Sequence, residues 1–376
     1  MRIGVPREIK DGERRVAVTP EGAGALARGG HDVRVERGAG AAAGYADAAY
    51  AAAGAALVDD VVGLVWSSEL VVKVKELQPP ELARLVPGTT IACFAQLGRD
   101  RRLLDAVLAA NVRILAYETI RDAAGVAPLL APMSRIAGRL APYVGAAALC
   151  TDRGGAGVLL PGVDDVPGAA VLVIGAGSAG AHAAEVAAAM GCRVTLVSRG
   201  AAKLAGAAAR IAQAGHGVTT HAQGALPPDE FARLVAVADL VVGAVLEPGR
   251  LSPKLLTRGH LRAMRPGSAF VDVGIDQGGI AETSRMTTLS APTYVEEGVV
   301  HYCVPNMPAL VARTASAALA NALLPFVLRI ADRGVAAALA GDATLAAGMM
   351  VWDGAIADAR LAADAALPSV AAPWRR

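Results

Sequence analysis

Cysteine and lysine are both scarce in this chain. Its four cysteines are spread over 376 residues without CxxC spacing, which argues against a disulfide framework or a paired-cysteine metal site. We therefore expect reduced, partly buried thiols and no bound metal. Only five of the 36 basic residues are lysines. Because arginine serves almost everywhere else, each remaining lysine is a stronger candidate for a role that needs an ammonium group.

Long apolar runs and an excess of one charge are missing as well. Glycine, aspartate or arginine interrupts every apolar run before the roughly 18 residues that a membrane helix needs, so we expect no membrane span. The 36 basic and 34 acidic side chains leave a net charge of +2, and no basic surface points to nucleic acid. The charged start, MRIGVPREIK, leads directly into a strand, unlike a signal peptide. We expect a cytoplasmic protein.

One stretch, residues 171–199, organises the chain. It reads VLVIGAGSAGAHAAEVAAAMGCRVTLVSR and predicts a strand, a glycine turn, a helix and a second strand, which is the context of a dinucleotide-binding site. In this motif the first glycine makes the turn, the second admits the pyrophosphate, and the third packs the helix on the strand. The alternative is a glycine turn in an ordinary α/β protein. The predicted cofactor-binding residues here are Gly175, Gly177, Ser178, Ala179 and Gly180.

No carboxylate follows the second strand of this stretch. An acidic side chain there would accept hydrogen bonds from the ribose 2′-hydroxyl of NAD, but the chain has Ser198 and Arg199, with Lys203 one turn further on. A hydroxyl, a guanidinium and an ammonium suit a 2′-phosphate, because arginine binds phosphate through a planar fork of donors. We predict a preference for NADP(H) over NAD(H). The alternative is that these are only solvated turn residues, and the site would then not distinguish NADP(H) from NAD(H).

Two α/β domains follow from the alternation of short apolar runs with helical patterns. Residues 1–130 predict a mostly parallel sheet without a nucleotide motif, and residues 131–308 predict the dinucleotide-binding domain. After Pro308 the pattern is helical, and we expect it to add no strand and to join residues 309–376 to the first, substrate-binding domain. The strands predicted in that domain are Arg2–Val5, His31–Glu36, Leu70–Lys75, Thr90–Phe94 and Val112–Tyr117.

Seven segments carry a resemblance to one family. They are MRIGVPREIKDGERRVAVTP, LVVKVKE, LAYETI, LLAPMSRIAGRLA, GAVLEPG, VDVGIDQGG and HYCVPNMP. The chain resembles the alanine dehydrogenase and pyridine nucleotide transhydrogenase family, and its alanine dehydrogenases most of all. The resemblance implies two Rossmann-like, doubly wound domains with the active site in the cleft between them. It also implies interconversion of L-alanine and pyruvate plus ammonia by nicotinamide hydride transfer, and a homohexamer, with a dimer as the alternative.

The resemblance implies roles for individual residues. Arg15 and Lys75 match the residues that bind the substrate carboxylate, and Asp276 matches the aspartate at the nicotinamide. Asn306 lies in the segment that closes near the nicotinamide and joins the predicted substrate-binding set. The remaining predicted cofactor-binding residues are Ser134, Val245, Leu246, Ile275 and Met307.

The pattern of residues favours two of these positions independently. Arg15 comes shortly after the first strand and Asp276 follows an apolar run, so both lie at the carboxyl edge of a parallel sheet, where α/β proteins bind ligands. The paired glycines after Asp276 are typical of a loop that lets a ligand approach. The alternatives are a solvated loop arginine and a turn or N-cap aspartate.

Two lysines stand in an otherwise apolar stretch. Lys73 and Lys75 alternate on one face of the predicted strand, and a buried lysine is costly unless it pairs or acts. We expect Lys73 to form an ordinary ion pair with Glu76 or Glu118. We expect Lys75 to be catalytic, because a desolvated lysine can polarise a carbonyl group.

The family histidine that serves as general acid and base is missing. At its position the chain has Gln96, which can hydrogen-bond a substrate but cannot exchange a proton near neutral pH. General acid–base catalysis is worth about 10²- to 10⁴-fold, so the loss matters. Of the histidines, His301 is the candidate to approach the site, and the alternative is that it is a surface or structural histidine. Gly274 replaces an expected alanine, which would enlarge the floor of the pocket.

Two reactions fit these residues. In the first, an NADP(H)-dependent oxidoreductase acts on the C–N bond of a small amino acid, alanine by default, and Lys75 or Asp276 transfers the proton through a water. In the second, the enzyme reduces a larger or cyclic imine of a biosynthetic pathway, which needs hydride delivery but no carbinolamine breakdown. A non-catalytic nucleotide-binding protein would have no reason to keep Arg15, Lys75 and Asp276. The predicted catalytic residues are Lys75, Gln96 and Asp276.

Overall fold

The computed structural model describes residues 1–245 and 251–375. It divides into two compact units, Met1–Met133 together with the segment from Ala309 onward, and Ser134–Pro308. Each unit has its own β-sheet. The chain passes from one unit to the other within a long helix, Leu130–Ala148, and again within a short 3₁₀ helix, Met307–Val311.

The first 133 residues alternate strands and helices, as predicted. The strands are β1 (Arg2–Val5), β2 (Asp32–Glu36), β3 (Ala56–Val58), β4 (Leu70–Val72), β5 (Thr90–Cys93) and β6 (Arg113–Ala116). The helices are α1 (Pro20–Arg28), α2 (Asp47–Ala52), α3 (Pro79–Leu82), α4 (Arg101–Ala109) and α5 (Leu130–Ala148). Local chemistry sets the ends. Thr19 caps α1 by accepting the N–H of Gly22, and Pro20 fills the first helical position, where no N–H is needed.

These six strands are parallel and have the order of a doubly wound sheet. The order is β3-β2-β1-β4-β5-β6. The chain moves outward from β1 to β3, returns to the other side of β1, and moves outward again from β4 to β6. The order therefore reverses between β1 and β4, and in such sheets ligands bind beyond the carboxyl ends of the strands at the reversal.

The second unit repeats this arrangement. Its strands are β7 (Ala170–Ile174), β8 (Arg193–Ser198), β9 (Thr219–Ala222), β10 (Leu240–Gly243), β11 (Ala269–Asp272), β12 (Thr293–Glu296) and β13 (Val299–Tyr302). Its helices are α6 (Ser178–Ala189), α7 (Ala201–Gln213), α8 (Pro228–Val237) and α9 (Arg258–Ala263). The order is β9-β8-β7-β10-β11-β13-β12, with β12 antiparallel. The reversal lies between β7 and β10, and β7 leads into the glycine turn.

Alanine and glycine let the helices of the second unit approach closely. Most of the inward face of α6 is alanine, as at Ala184 and Ala187. A Cβ on Gly138 of α5 would lie 2.1 Å from the carbonyl oxygen of Ala179. The backbones of α5 and α6 are therefore almost in contact, which fixes the helix whose N-terminus follows the glycine turn.

The C-terminal segment adds strands to the first sheet, contrary to expectation. Its helices are α10 (Ala312–Arg333), α11 (Val335–Ala340), α12 (Ala343–Ala346) and α13 (Ala359–Ala365), and its strands are β14 (Met349–Trp352) and β15 (Ala355–Ile356). β14 pairs antiparallel with β6, and β15 with β14. Asp353 and Gly354, with φ of 47° and 77°, close this hairpin. An Asp-Gly pair is a strong hairpin signal, and the alanine-rich surroundings concealed it.

The chain from Met307 to Arg333 is long and apolar enough to cross a membrane, judged by length and composition alone. In the structure a stripe of this segment, including Leu319, Leu323 and Val327, is buried in the first unit. The stripe packs on α1. Its apolar side chains therefore close the core of this unit.

Candidate active site

Four polar side chains of the first unit follow four neighbouring parallel strands. Arg15 comes after β1, Lys75 after β4, Gln96 after β5 and Glu118 after β6. The carboxyl ends of parallel strands meet at the same edge of a sheet, so the fold gathers these residues there. Arg15 and Lys75 lie on the two sides of the reversal in strand order, which is the usual ligand position.

The Arg15 guanidinium is buried and held by a carboxylate. Its side chain is 3% exposed. Nε donates to Glu13 Oε1 at 2.8 Å, and Nη2 donates to Glu13 Oε2 at 2.5 Å. Nη1 lies 3.2 Å from the sulfur of Met133. A two-point contact of this kind fixes the plane of the guanidinium, so Arg15 is not a solvated loop arginine.

Lys73 forms an ion pair, as predicted, but with other partners. Its ammonium lies 3.3 Å from Glu8 Oε2 and 3.2 Å from Glu81 Oε2, so Glu76 and Glu118 are not its carboxylate partners. Burial acts to lower the pKa of Lys73, but the charges of Glu8 and Glu81 outweigh it and raise that pKa overall. Lys73 therefore stays charged, and its role is structural.

The turn that carries Lys75 is built on Glu8. The regular strand β4 ends at Val72, so Lys73 and Lys75 do not alternate on a strand face, and that prediction was wrong. Glu8 Oε1 accepts the N–H of Val74 at 2.5 Å and that of Lys75 at 3.4 Å. The Lys73 ammonium donates to the carbonyl oxygen of Lys75 at 2.9 Å. The backbone of Lys75 is thus held by a carboxylate and by an ammonium.

The Lys75 side chain is buried beside an anion. It is 7% exposed, and its ammonium lies 3.0 Å from Glu76 Oε2. The Lys10 ammonium contacts the other oxygen of the same carboxylate. Burial favours the neutral form of Glu76, but Lys75 and Lys10 lower its pKa to about 2. Lys75 therefore faces a permanent negative charge.

Gln96 occupies a strained position that Glu118 maintains. Its φ is 49°, in the left-handed region, which costs a non-glycine residue about 1–2 kcal/mol. Glu118 accepts the backbone N–H of Gln96 at 2.7 Å and that of Ala95 at 3.1 Å. The Gln96 side-chain oxygen accepts from Arg99 Nη1 at 3.0 Å. Burial raises the pKa of Glu118, while the two backbone donors act against this.

His301 does not replace the missing histidine. It lies on β13 of the second unit, fully buried. Its Nε2 lies 2.8 Å from Thr283 Oγ1, and its Nδ1 lies 2.9 Å from the carbonyl oxygen of Val299. Burial lowers the pKa of His301. With both ring nitrogens engaged inside the core, it is a structural histidine.

Sequence reasoning overlooked the carboxylates that support these cations. A buried cation needs a partner, so the expected burial of Arg15 and Lys73 could have indicated that acidic side chains lie beside them. Glu8 and Glu13 lie in the segments that carry the family resemblance. Glu81 lies outside those segments and reaches Lys73 from α3, so only the folded chain identifies it.

Two glycines of the nucleotide turn are required by the packing of the second unit itself. Gly175 has a φ of 105°, and a Cβ there would lie 2.5 Å from the carbonyl oxygen of Ala244, which follows β10. A Cβ on Gly180 would lie 1.7 Å from the carbonyl oxygen of Gly175. The turn therefore folds back tightly on its own helix, in keeping with the first and third glycines of the motif.

The glycine between them meets a different requirement. A Cβ on Gly177 would meet no atom of the chain within 4 Å, and its φ of −70° suits any residue. The chain itself does not need glycine there, whereas a pyrophosphate lying against the backbone does. Ser178 and Ala179 begin α6 and present its first N–H groups and positive dipole end. These residues fit a dinucleotide phosphate.

The residues predicted to select the 2′-phosphate lie close together in the chain and in the fold. Ser198 ends β8 half-buried, and Arg199 and Lys203 are exposed. Lys203 belongs to the first turn of α7. No acidic residue lies between 198 and 203, so the end of β8 offers donors and positive charge.

Asp276 lies in a 3₁₀ helix that follows β11, Ile275–Gln277. Asp276 is half-buried and Ile275 is buried. The paired glycines after it serve the fold and do not simply open space for a ligand. Gly278 and Gly279 have φ of 84° and 72°, and a Cβ on Gly279 would lie 2.3 Å from Asp272 Oδ2.

Gly274 does not enlarge a pocket, contrary to expectation. A Cβ there would lie 2.7 Å from the carbonyl oxygen of Val245. The space that an alanine side chain would take is therefore filled by the backbone that follows β10. Gly274 allows the segments after β10 and β11 to lie side by side.

The other predicted residues are distributed around the second unit. Val245 follows β10, and Asn306 and Met307 follow β13, at the edge that carries the glycine turn. Asn306 and Met307 are buried. Ser134 lies half-buried in α5. Leu246 lies outside the described residues.

Among residues 1–245 and 251–375, no cluster of three or more histidine, cysteine, aspartate or glutamate side chains could hold a metal ion. All four cysteines are free thiols. Cys150 is exposed, and Cys93, Cys192 and Cys303 are buried.

Comparison with known proteins agrees with this geometry. The N-terminal and C-terminal domain models of the alanine dehydrogenase/PNT family match residues 4–137 and 141–359. An alanine dehydrogenase from Halomonas elongata is 48% identical over 94% of both chains, and one from Mycolicibacterium smegmatis is 44% identical over 98% of both. A solved L-alanine dehydrogenase structure superposes with a TM-score of 0.91 at 38% identity, covering 97% of this chain and 99% of its own. The chain therefore belongs to the alanine dehydrogenase and pyridine nucleotide transhydrogenase family.

Proposed function

We propose that this protein interconverts L-alanine and pyruvate plus ammonia, with NADP(H) as its nicotinamide cofactor. Its family membership makes it a nicotinamide-dependent oxidoreductase that acts on CH–NH₂ groups. The observation that carries the proposal is the buried pair of cations, Arg15 and Lys75, on the two sides of the strand-order reversal of the first sheet. We propose that this unit binds the substrate and that the second unit binds the nucleotide.

Arg15 and Lys75 would bind a 2-oxo acid at both of its polar ends. Arg15, whose plane Glu13 fixes, binds the carboxylate. The Lys75 ammonium donates to the carbonyl oxygen and polarises it for attack by ammonia. The bound dinucleotide supplies or accepts the hydride at the substrate carbon. We place Asn306 beside the substrate and Asp276 at the nicotinamide, and both follow strands at one edge of the second sheet.

The proton transfers are the unusual part of this site. Gln96 can only donate or accept a hydrogen bond, so it orients the substrate or a water. Lys75 then exchanges protons with the departing water or ammonia, with Asp276 as the second candidate. The Lys75 ammonium lies 3.0 Å from Glu76 Oε2, and no histidine stands at the position of Gln96 to share the proton transfers. We therefore expect the carbinolamine steps to limit turnover.

Preference for NADP(H) is supported by the end of β8. Ser198, Arg199 and Lys203 offer donors and two accessible positive charges there. A ribose 2′-hydroxyl without its phosphate would lack the carboxylate partner that NAD-preferring sites supply.

A second candidate is an NADPH-dependent reductase of a larger or cyclic imine. The observation that favours it is Gln96, held by Glu118 and capped by Arg99 in the position of the family histidine. Reducing a protonated C=N bond needs hydride and a nearby negative charge, and it avoids the carbinolamine steps for which a histidine is useful. Glu76 and Asp276 are the acidic side chains that we assign to this role.

The deciding experiment follows NADPH and NADH oxidation by absorbance, with pyruvate and ammonium. Fast NADPH oxidation supports the alanine reaction, and faster NADH oxidation contradicts the assignment of Ser198 and Arg199. If neither nucleotide is oxidised while NADPH still binds, the alanine proposal fails, and cyclic imines become the substrates to screen. A homo-oligomer, hexameric or dimeric, and a cytoplasmic location stay predictions, to be checked by light scattering and by fractionation.

A further inference from the structure

Lys254, one of the five lysines, binds the loop that carries Asp276. Its ammonium donates to the carbonyl oxygens of Gly278 at 2.6 Å, Gly279 at 3.0 Å and Ala281 at 2.9 Å. All three of its hydrogens therefore have acceptors in one short segment. Most lysines on a protein surface extend into water, so this convergence is specific to the loop.

The Asp272 carboxylate binds the same loop by accepting hydrogen bonds from backbone N–H groups of the loop. It is fully buried at the end of β11. Its Oδ2 accepts the N–H of Ile280 at 2.9 Å and the hydroxyl of Ser284 at 2.6 Å, and its Oδ1 accepts the N–H of Gly274 at 3.2 Å. The absence of a Cβ at Gly279 gives this carboxylate its space.

A second row of backbone bonds joins the loop to residues 252–256. Ser252 donates its N–H to the carbonyl oxygen of Gln277 at 2.8 Å, and Leu255 donates to that of Ile280 at 2.7 Å. Ser252 Oγ also donates to the carbonyl oxygen of Val245 at 3.1 Å. The segment that follows β10 and the loop that follows β11 are therefore linked, and Lys254 lies within that link.

We propose that Lys254 and Asp272 are positioning residues that clamp residues 274–281, so that Asp276 is presented in one fixed place. Lys254 holds the loop by its carbonyl oxygens, and Asp272 holds it by its backbone N–H groups. Its role in turnover rests on the proposed function, because Asp276 is assigned there to the nicotinamide. The clamp would matter for the reaction more than for holding the adenine end of the nucleotide, whose predicted contacts lie after β8.

The test compares Lys254→Met with Arg233→Met, a control that removes an exposed cation from the same unit. We expect Lys254→Met to lower kcat with pyruvate and ammonium by about tenfold to a hundredfold, since small misplacements of a reacting group cost that much. The Kd of adenosine 2′,5′-bisphosphate should stay within about twofold in both variants, and Arg233→Met should keep its kcat. Unchanged kcat in Lys254→Met would overturn the role in turnover.

Hydrogen exchange separates this inference from the proposed function. Peptides that cover residues 274–281 should exchange faster in Lys254→Met than in wild type or Arg233→Met, and this readout needs no substrate. If wild type does not oxidise NADPH with pyruvate, the alanine proposal fails while the exchange result still decides the clamp. Ser284→Ala, which removes one donor to Asp272, is the milder variant if Lys254→Met does not fold. Equal exchange in wild type and the folded variant would show that there is no clamp.

Discussion

Replacing the glycines of the nucleotide turn one at a time separates packing from ligand binding. A Cβ on Gly180 would lie 1.7 Å from a backbone oxygen, whereas a Cβ on Gly177 would meet nothing within 4 Å. The two alanine substitutions are chemically identical and lie in the same turn. They therefore form a pair that contrasts a crowded position inside α6 with an open position at its N-cap.

Gly180→Ala should destabilise the second unit. To restore van der Waals contact, α6 must move away from the turn by about 2 Å. Overpacking of this kind costs about 1–3 kcal/mol, which lowers the Tm of a domain of this size by roughly 2–12 °C.

Gly177→Ala should leave stability almost unchanged and weaken nucleotide binding. Alanine lowers the conformational entropy of the unfolded chain, which stabilises the fold by about 0.4–1 kcal/mol. Alanine is also a poorer helix N-cap than glycine, and this second effect opposes the first. We expect Tm within about 3 °C of wild type. The new methyl group would displace the pyrophosphate from at least one backbone N–H, a charge-assisted bond worth about 1.5–3 kcal/mol, so Kd should rise by about tenfold to a hundredfold.

Two measurements decide the matter, differential scanning fluorimetry for Tm and NADPH fluorescence titration for Kd. If Gly177→Ala binds NADPH like wild type, Gly177 does not touch the pyrophosphate, and its assignment is wrong. If Gly180→Ala keeps the wild-type Tm, the contact with the Gly175 carbonyl is not limiting, and the packing argument fails.

Three further predictions follow from the sites. Arg199→Ala should raise KM for NADPH by about tenfold, the value of one charge-assisted hydrogen bond, and leave KM for NADH unchanged; equal effects on both would contradict the 2′-phosphate assignment. Gln96→His should raise kcat for pyruvate amination by about 10²-fold and introduce a pH dependence near neutrality, whereas no gain would favour imine reduction. Because the pKa of Glu76 is lowered from 4.5 to about 2, its pairing with Lys75 stabilises the fold above pH 4.5 and is lost as pH falls towards 2. Glu76→Gln should therefore lower Tm near neutral pH and show a shallower acid loss than wild type in pH-dependent scanning fluorimetry; parallel curves would refute this.

Several features of the fold could be predicted from the sequence because they depend on residues that are neighbours in the chain. The run from Val171 to Arg199 contains a strand, a turn, a helix and a strand in the order that a nucleotide-binding unit needs, and the structure has each of them. The alternation of apolar and helical segments predicted two α/β domains, and the two sheets of the structure confirm this fold class. The family matches confirm the predicted family. The boundaries of most predicted strands agree with the structure to within two residues.

Features that depend on distant residues were predicted less well. Strand β4 ends at Val72 because the Glu8 carboxylate, far away in sequence, accepts hydrogen bonds from the backbone N–H groups of Val74 and Lys75. The partners of Lys73 are likewise chosen by how β4, α3 and the loop after β1 pack. The hairpin β14–β15 is too short to have a clear periodicity, and pairing with β6 determines it.

The sequence by itself determined the parallel strands of each sheet, the glycine turn and the order in which the candidate side chains follow those strands, because these follow from local periodicity and from chain order. Only the tertiary structure decided what each side chain touches. It gave Gly274 and Gly279 the task of making room for a carbonyl and a carboxylate, and it placed the Lys73 ammonium between the buried carboxylates of Glu8 and Glu81. The physical reason is that a buried charge or a missing Cβ is explained by atoms that lie near it in space, and for Gly274 and Lys73 those atoms belong to segments far away in the sequence.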